Sequence, residues 1–166
     1  MATVYVSVGS NVDRENNVRQ CLDKLRQIFG SVQASTIYQS AAVGFQGDDF
    51  LNLVVEFDTG LDVYAVIAQL QNIEAQQGRR RDGDRFSSRT LDLDILLYDN
   101  LILEETGLKL PRPDILRYAF VLCPLAELAG ERRHPVLNST FYELWQVFDN
   151  PTERASLRPV WLNLNG

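Results

Sequence analysis

The sequence has few of the features that mark membrane, secreted or nucleic-acid-binding proteins. No stretch approaches the roughly 18 uninterrupted apolar residues of a membrane-spanning helix, and the start lacks the basic and apolar regions of a signal peptide. The formal net charge is −6, which argues against a general nucleic-acid binder because such binding depends on a broad basic surface. We therefore expect a cytoplasmic protein that binds neither membranes nor nucleic acids.

Cysteine and histidine are also scarce in this sequence. The two cysteines, Cys21 and Cys123, lie far apart in apolar patterns without metal-like spacing, so we expect free thiols rather than a disulfide or a zinc site. The single histidine, His134, lies in the run ERRHP, where a surface or loop position is expected.

Size and composition are those of one globular domain. The chain has 166 residues, of which 45% are hydrophobic and 23% charged. These values are typical of an ordinary globular protein, and we expect a single domain over 1–166.

Hydrophobic periodicity predicts an α+β fold. Alternating patterns indicate strands and helical spacing indicates helices. Strands are predicted over 3–8, 31–38, 50–57 and 90–98, and helices over 13–30 and 62–78. The order βαββαβ is that of the ferredoxin-like arrangement, in which an antiparallel sheet carries two helices on one face.

The C-terminal part adds elements to this core. Asp99-Asn100 is expected to form a hairpin turn into a short strand at 101–103. Two further helices, predicted over 119–129 and 139–148, can cover the other face of the sheet.

The segment TLDLDILLY carries two aspartates, Asp92 and Asp94. In a strand, residues two apart share a face, about 6–7 Å apart, whereas in a helix they diverge. Two such carboxylates repel each other by roughly 2.5 kcal/mol at an effective dielectric of 20, and a cation offsets this cost most simply. Mg²⁺ is usually held by one or two carboxylates and the phosphates of its substrate, so the pair favours a magnesium site.

Five arginines at 79, 80, 81, 85 and 89 directly precede this strand. Guanidinium groups bind phosphate bidentately, so the whole segment 78–100 predicts a Mg²⁺-polyphosphate site. The alternative is an edge strand whose aspartates are merely solvated and neutralised by surface arginines.

The run RFSSRTLDLDILL, residues 85–97, resembles the signature of the 6-hydroxymethyl-7,8-dihydropterin pyrophosphokinases of folate biosynthesis. The likeness extends over most of the chain. It includes VGSN at 8–11, FLN at 50–52, QNIE and QGR within 71–79, and AFVLCPLAEL at 119–128.

This resemblance implies an activity and its cofactor. Such enzymes transfer the β,γ-pyrophosphate of ATP to the hydroxymethyl oxygen of the pterin, giving AMP and the pterin diphosphate, with two Mg²⁺ ions. Members have a ferredoxin-like fold, and we expect a monomer.

The resemblance also implies roles for individual residues toward ATP. Asp92 and Asp94 are expected to bind both ions, and Asp94 or water to take the hydroxyl proton. Three arginines are expected to be catalytic by contacting the triphosphate and helping to close the loop: Arg79, Arg81 and Arg89. Four further residues are expected at ATP: Gln71, Glu74, Arg112 and Tyr118.

For the pterin, the resemblance implies two aromatic rings that sandwich it, Phe50 and Phe120. Asn52 is expected to read the polar edge of the ring, since an amide offers both a donor and an acceptor. Ser40 and Val43 are expected to contact the same substrate. Without the resemblance, both phenylalanines would be taken as core residues.

Four places depart from the family pattern. Arg112 stands where histidine is usual and Tyr118 where arginine is usual, while Phe86 and Ser87-Ser88 replace a frequent tryptophan and Gly-Pro. The departures leave a catalytically weakened pterin- or ATP-binding paralogue open as an alternative. An RNA-binding domain is a third possibility, because ferredoxin-like sheets can present aromatic rings to bases.

Overall fold

The computed structural model describes residues 1–40, 49–78 and 91–162, which form a mixed α and β structure. Its strands are β1 (Ala2–Ser10), β2 (Val32–Ala34), β3 (Ile37–Ser40), β4 (Phe50–Thr59), β5 (Asp92–Tyr98), β6 (Leu103–Glu105), β7 (Leu108–Leu110) and β8 (Arg158–Val160). Its helices are α1 (Arg14–Phe29), α2 (Val63–Gln76), α3 (Asp114–Arg117), α4 (Ala119–Ala129), α5 (Phe141–Gln146) and α6 (Pro151–Ser156). None of the helices in these ranges has both the length and the apolar character to cross a membrane.

The main sheet is antiparallel, with the order β5-β1-β4-β3-β8, and β2 also pairs with β4. This order confirms the predicted α+β, ferredoxin-like arrangement. The predicted strand 31–38 is divided in two by a β-bulge. Ala34 pairs with Val55 of β4, and Tyr38 pairs with Asn52 of β4. The chain thus advances four residues from β2 to β3 while β4 advances three, which leaves one extra residue in the bulge.

The first face of the sheet is covered by α1 and α2. Apolar residues at helical spacing, such as Leu22 and Leu70, pack on alternate strand residues, such as Val6 and Leu53. Gly30, with φ 84°, ends α1 in a conformation that glycine adopts without strain. Both helices thus lie where the sequence predicted them.

The second face is covered by α4 and α5, which confirms the predicted role of the C-terminal helices. Val121, Leu125 and Phe141 are buried there against Tyr5 and Val54 of the sheet. The second of these helices is shorter than expected, since α5 covers only Phe141–Gln146. The sequence did not predict α3, α6, β7 or β8.

The predicted hairpin from β5 into residues 101–103 is wrong. Asp99 does form a turn, but β6 begins only at Leu103 and pairs with β7 in a separate two-stranded sheet. The outer edge of β5 is occupied instead by other groups. Glu74 accepts the N–H of Leu93 at 2.9 Å, and the N–H of Arg112 donates to the carbonyl of Leu96 at 3.0 Å.

Candidate active site

Asp92 and Asp94 lie on the same face of β5, as the strand pattern predicted. Leu93 and Ile95 alternate with them and are buried against α1 and α2, so the two carboxylates face the side of the sheet that carries α4. Across the strand pair, Asp92 lies opposite Gly9 and Asp94 opposite Ser7. Both aspartates are partly exposed, which leaves the carboxylates accessible to a ligand.

Arg112 brings a positive charge to this pair. Its Nη2 lies 3.6 Å from Oδ1 of Asp94, and its Nε donates to Oδ2 of Asp114 at 3.1 Å. The side chain of Arg112 is 33% exposed and that of Asp94 is 42% exposed, so water screens the attraction and the pair adds at most about 1 kcal/mol to stability. The ion pair therefore matters more for the site than for folding, because it places the charge of Arg112 beside a carboxylate that is expected to bind a metal ion.

A polar group lies beside the aspartates, at the start of β4. Asn52 is opposite Gly9 in the neighbouring strand, and its Nδ2 donates to Oγ of Ser40 at 2.7 Å. Both side chains are buried, at 8% and 7% exposure, so the hydrogen bond fixes the orientation of the amide. Ser40, Asn52 and Asp92 thus lie on one face of the sheet, with Asn52 one strand from Ser40 and two strands from Asp92.

Gly9 is the residue that makes this arrangement possible, and the sequence indicated it only as part of a turn. A Cβ atom built on Gly9 would lie 3.1 Å from Oδ1 of Asn52 and 3.9 Å from Cδ1 of Phe50. A glycine inside a strand often marks a place where another group approaches closely. That signal was present in the sequence and could have identified the position.

Two aromatic residues border the same region. Phe50 begins β4 and shares the face of Asn52, two residues away, and is partly exposed. Phe120 lies in the first turn of α4, and its ring stacks on that of Tyr118 with centroids 5.0 Å apart and an angle of 19° between planes. Tyr118 therefore supports one face of Phe120, a contact that the sequence did not predict.

The donor set fits a hard cation. Within the described parts of the chain, no cluster of three or more histidine, cysteine, aspartate or glutamate side chains could hold a metal by itself. Two carboxylates on one face match the way Mg²⁺ is usually bound, with phosphate oxygens and water completing its shell. A magnesium ion that arrives with a nucleotide therefore suits Asp92 and Asp94 better than a zinc ion would.

Comparison with known proteins identifies the family. The family model described as 7,8-dihydro-6-hydroxymethylpterin-pyrophosphokinase matches residues 5–130. A 2-amino-4-hydroxy-6-hydroxymethyldihydropteridine pyrophosphokinase of Aquifex aeolicus is 32% identical over 145 residues, covering 86% of this chain and 90% of the relative. That of Bacillus subtilis is 38% identical over 131 residues, covering 76% and 78%. This chain belongs to that pyrophosphokinase family. It is accordingly a transferase of folate biosynthesis.

Solved structures support the fold of this pyrophosphokinase. The chain matches a Plasmodium falciparum HPPK-DHPS structure with a TM-score of 0.77 and 14% identity, covering 97% of this chain. A second HPPK-DHPS structure, in complex with substrates, matches with a TM-score of 0.76 and 12% identity. The chain spans about half, 47%, of the length of each of these structures. At this identity the match supports the shared fold and no more.

Two residues expected at ATP lie on the opposite side of the sheet from the aspartates. Gln71 is exposed on α2, and Glu74 follows one turn later but is only 5% exposed. The carboxylate of Glu74 accepts the N–H of Leu93, between the two aspartates, so it supports the backbone of β5. A contact of either residue with ATP stays a prediction.

The remaining expected residues lie outside the described part of the chain. They are Val43 and the three arginines Arg79, Arg81 and Arg89, together with the departures Phe86 and Ser87-Ser88. The structure places the other expected residues on or beside the second face of the sheet: Ser40, Phe50, Asn52, Asp92, Asp94, Arg112, Tyr118 and Phe120.

Proposed function

We propose that this face of the sheet is where ATP and 6-hydroxymethyl-7,8-dihydropterin meet. The observation that carries the proposal is the position of Gly9 between Asp92 on one neighbouring strand and Asn52 on the other. Gly9 thus has a carboxylate suited to a metal-bound triphosphate on one side and an amide suited to a heterocycle on the other. Each lies one strand spacing, about 5 Å, from Gly9, so the two lie about 10 Å apart. This short distance suits a reaction that joins the two ligands.

On the nucleotide side, Asp92 and Asp94 hold two Mg²⁺ ions together with the phosphates of ATP. When bound, the ions neutralise charge on the phosphoryl groups and orient them. Arg112 supplies a fixed positive charge next to Asp94. This charge takes the place of the histidine that the family usually has at that position. Arg79, Arg81 and Arg89 bind the phosphates, and Tyr118 contacts the nucleotide. Gln71 and Glu74 reach it from α2 past the outer edge of β5, where Glu74 accepts the N–H of Leu93.

On the pterin side, Asn52 presents its amide to the polar edge of the ring. The hydrogen bond to Ser40 holds that amide in one orientation before the substrate arrives. Phe50 and Phe120 stack on the two faces of the ring, and Val43 adds an apolar contact. Offset stacking contributes about 0.5–1.5 kcal/mol per face beyond the burial of the ring.

The reaction joins the two substrates at the β-phosphorus of ATP. The hydroxymethyl oxygen of the pterin bonds to that phosphorus, while the bond from the phosphorus to the bridging oxygen of the α-phosphate breaks and AMP leaves. The hydroxyl proton goes to water or to Asp94. Because such transition states are largely loose, positioning and charge neutralisation matter more than a strong base.

We also propose that the enzyme is a cytoplasmic monomer and that residues 1–166 form its single domain. The antiparallel sheet supports the single domain, because the same sheet contains β1 at the start of the described chain and β8 near its end.

Product identity tests the proposed reaction. With ATP, Mg²⁺ and 6-hydroxymethyl-7,8-dihydropterin, the protein is expected to form AMP and the pterin diphosphate in equal amounts. The Asp92→Ala and Asp94→Ala variants are expected to lose activity by orders of magnitude, whereas Asp58→Ala, on the far end of β4, serves as the control. ADP as the product, or variants as active as the unmodified protein, would refute the proposal.

A further inference from the structure

The part of the chain after the family match contacts both walls of the proposed pterin pocket. The match ends at residue 130, and the described residues beyond it include α5, α6 and β8. We propose that the segment formed by α6 and β8 positions the pterin pocket, with Glu153 as its main positioning residue. This inference rests on the proposed function, since it concerns the pterin site named there.

The first contact is with the helix that carries Phe120. The N–H of Ala119, the first residue of α4, donates to Oε1 of Glu153 at 2.5 Å. The first N–H groups of a helix have no partner within the helix, and a negative charge near them is favourable. Among the described residues, Tyr118 at the N-cap makes no capping hydrogen bond with its side chain. Glu153 thus takes the place of a cap from a distant part of the sequence.

Glu153 is itself held in place. Its Oε2 accepts Nδ2 of Asn150 at 3.2 Å, and its backbone N–H donates to Oδ1 of Asn150 at 3.0 Å. The next residue, Arg154, lies with its guanidinium carbon 3.9 Å from the centroid of the Trp145 ring and donates to the carbonyl of Trp145. These contacts fix α6 against α5, so the carboxylate is oriented toward α4 before any ligand binds.

The second contact is with the strand that carries Ser40. β8 pairs with β3, with Val160 opposite Ile37 and Arg158 opposite Gln39. β3 would otherwise be the edge of the sheet, and an unpaired edge strand is less well ordered than a paired one. The same strand ends at Ser40, which orients Asn52. The C-terminal segment thus holds this wall of the pocket by backbone hydrogen bonds.

One short segment therefore connects the two walls, because only Leu157 separates α6 from β8. Phe120 follows the capped residue Ala119 directly and lies in the first turn of α4, the part of a helix that frays when a cap is lost. The carboxylates of Asp92 and Asp94 lie on β5, at the other side of β1 from these contacts. Because Tyr118 of the proposed nucleotide site directly precedes Ala119, loss of Glu153 is expected to weaken pterin binding strongly and ATP binding to a smaller extent.

The test compares Glu153→Ala with Glu153→Gln and with a matched control, Glu143→Ala. Glu143 also caps a helix in the C-terminal part, α5, where its exposed side chain accepts the N–H of Thr140 at 3.1 Å rather than an N–H of α4. Binding of 6-hydroxymethyl-7,8-dihydropterin and of a non-hydrolysable ATP analogue with Mg²⁺ is measured by calorimetry. If the whole effect of losing a helix cap of ordinary strength appears in binding, the Kd for the pterin rises about fivefold.

The expected result is a roughly fivefold rise in the pterin Kd for Glu153→Ala, with a clearly smaller rise in the Kd of the ATP analogue. Glu153→Gln keeps an acceptor oxygen and is expected to recover most of the affinity, and Glu143→Ala to leave the pterin Kd as it is. An unchanged pterin Kd in Glu153→Ala overturns the proposal. So does an equal loss for both ligands, or an equal loss in the control, because either result indicates general destabilisation.

Amide hydrogen exchange of the free protein separates this inference from the proposed function. Glu153→Ala is expected to speed exchange in the first turn of α4, around Phe120, and Glu143→Ala is not. If the unmodified protein binds no pterin, the proposed function fails. Faster exchange in Glu153→Ala would then still show that Glu153 positions α4, and unchanged exchange would overturn that as well.

Discussion

Replacing Gly9 by alanine is expected to weaken pterin binding selectively. The new Cβ would lie 3.1 Å from Oδ1 of Asn52, whereas 3.4–4 Å is an ordinary contact, so the amide has to move by a few tenths of an ångström. That movement disturbs the 2.7 Å hydrogen bond from Asn52 to Ser40. A hydrogen bond of this kind contributes about 1 kcal/mol, which corresponds to about a fivefold rise in the KM for the pterin.

The assay measures initial rates of AMP formation with each substrate varied in turn. Gly60→Ala is the matched control, since a Cβ built on Gly60 meets nothing within 4 Å. The KM for ATP is expected to stay constant in both variants, because Asn52, Phe50 and Leu51 provide the atoms nearest to the new methyl group of Gly9→Ala. An unchanged pterin KM, or an equal rise in both KM values, would refute the reasoning.

Three further predictions concern buried groups. Burial lowers the pKa of His134 below its ordinary 6.5, and its Nδ1 accepts two backbone N–H groups, so the neutral form stabilises the fold. This contribution is present above pH 6.5 and is lost as the pH falls below it, so the free energy of unfolding, measured in urea, should drop toward pH 5.5 less in His134→Ala than in the unmodified protein. Glu74→Ala leaves the N–H of Leu93 without its acceptor and should lower the free energy of unfolding by about 1–3 kcal/mol, with Glu74→Gln less affected. Burial raises the pKa of the Cys21 thiol to about 12, so a thiol reagent at pH 8 should modify Cys21 only after unfolding.

Each of these predictions has a contrary outcome. The same pH dependence in His134→Ala and in the unmodified protein would show that another group controls acid stability. Unfolding curves that coincide for Glu74→Ala and the unmodified protein would mean that water replaces the carboxylate at β5. Rapid labelling of Cys21 in the native protein would show that α1 opens readily.

The elements with a clear periodicity could be predicted from the sequence alone. The alternation around Asp92 and Asp94 predicts both the strand and the shared face, since a period of two decides which side each residue occupies. The same holds for α1 and α2, whose apolar stripes are the residues that pack on the sheet. These local patterns were sufficient to give the order βαββαβ and, from it, the ferredoxin-like arrangement.

The elements that depend on distant partners could not be predicted in this way. The apolar pattern at 101–103 suggests a short strand but cannot show which strand it pairs with. It does not pair with β5, because Glu74 and Arg112 hydrogen-bond to the outer edge of β5 instead. Similarly, Arg158–Val160 contains a proline and shows little alternation, and only its pairing with β3 makes it a strand. In the site, the support of Phe120 by Tyr118 depends on the turn before α4, which no periodic pattern describes.

A crystal structure of the protein with Mn²⁺ in place of Mg²⁺, a non-hydrolysable ATP analogue and the pterin would test the central claim most directly. The anomalous signal of Mn²⁺ is expected between the carboxylates of Asp92 and Asp94 and the phosphates, at distances near the roughly 2.1 Å typical of Mg²⁺, with the pterin against Asn52. Metal density elsewhere, or carboxylates of Asp92 and Asp94 turned away from the nucleotide, would contradict the account.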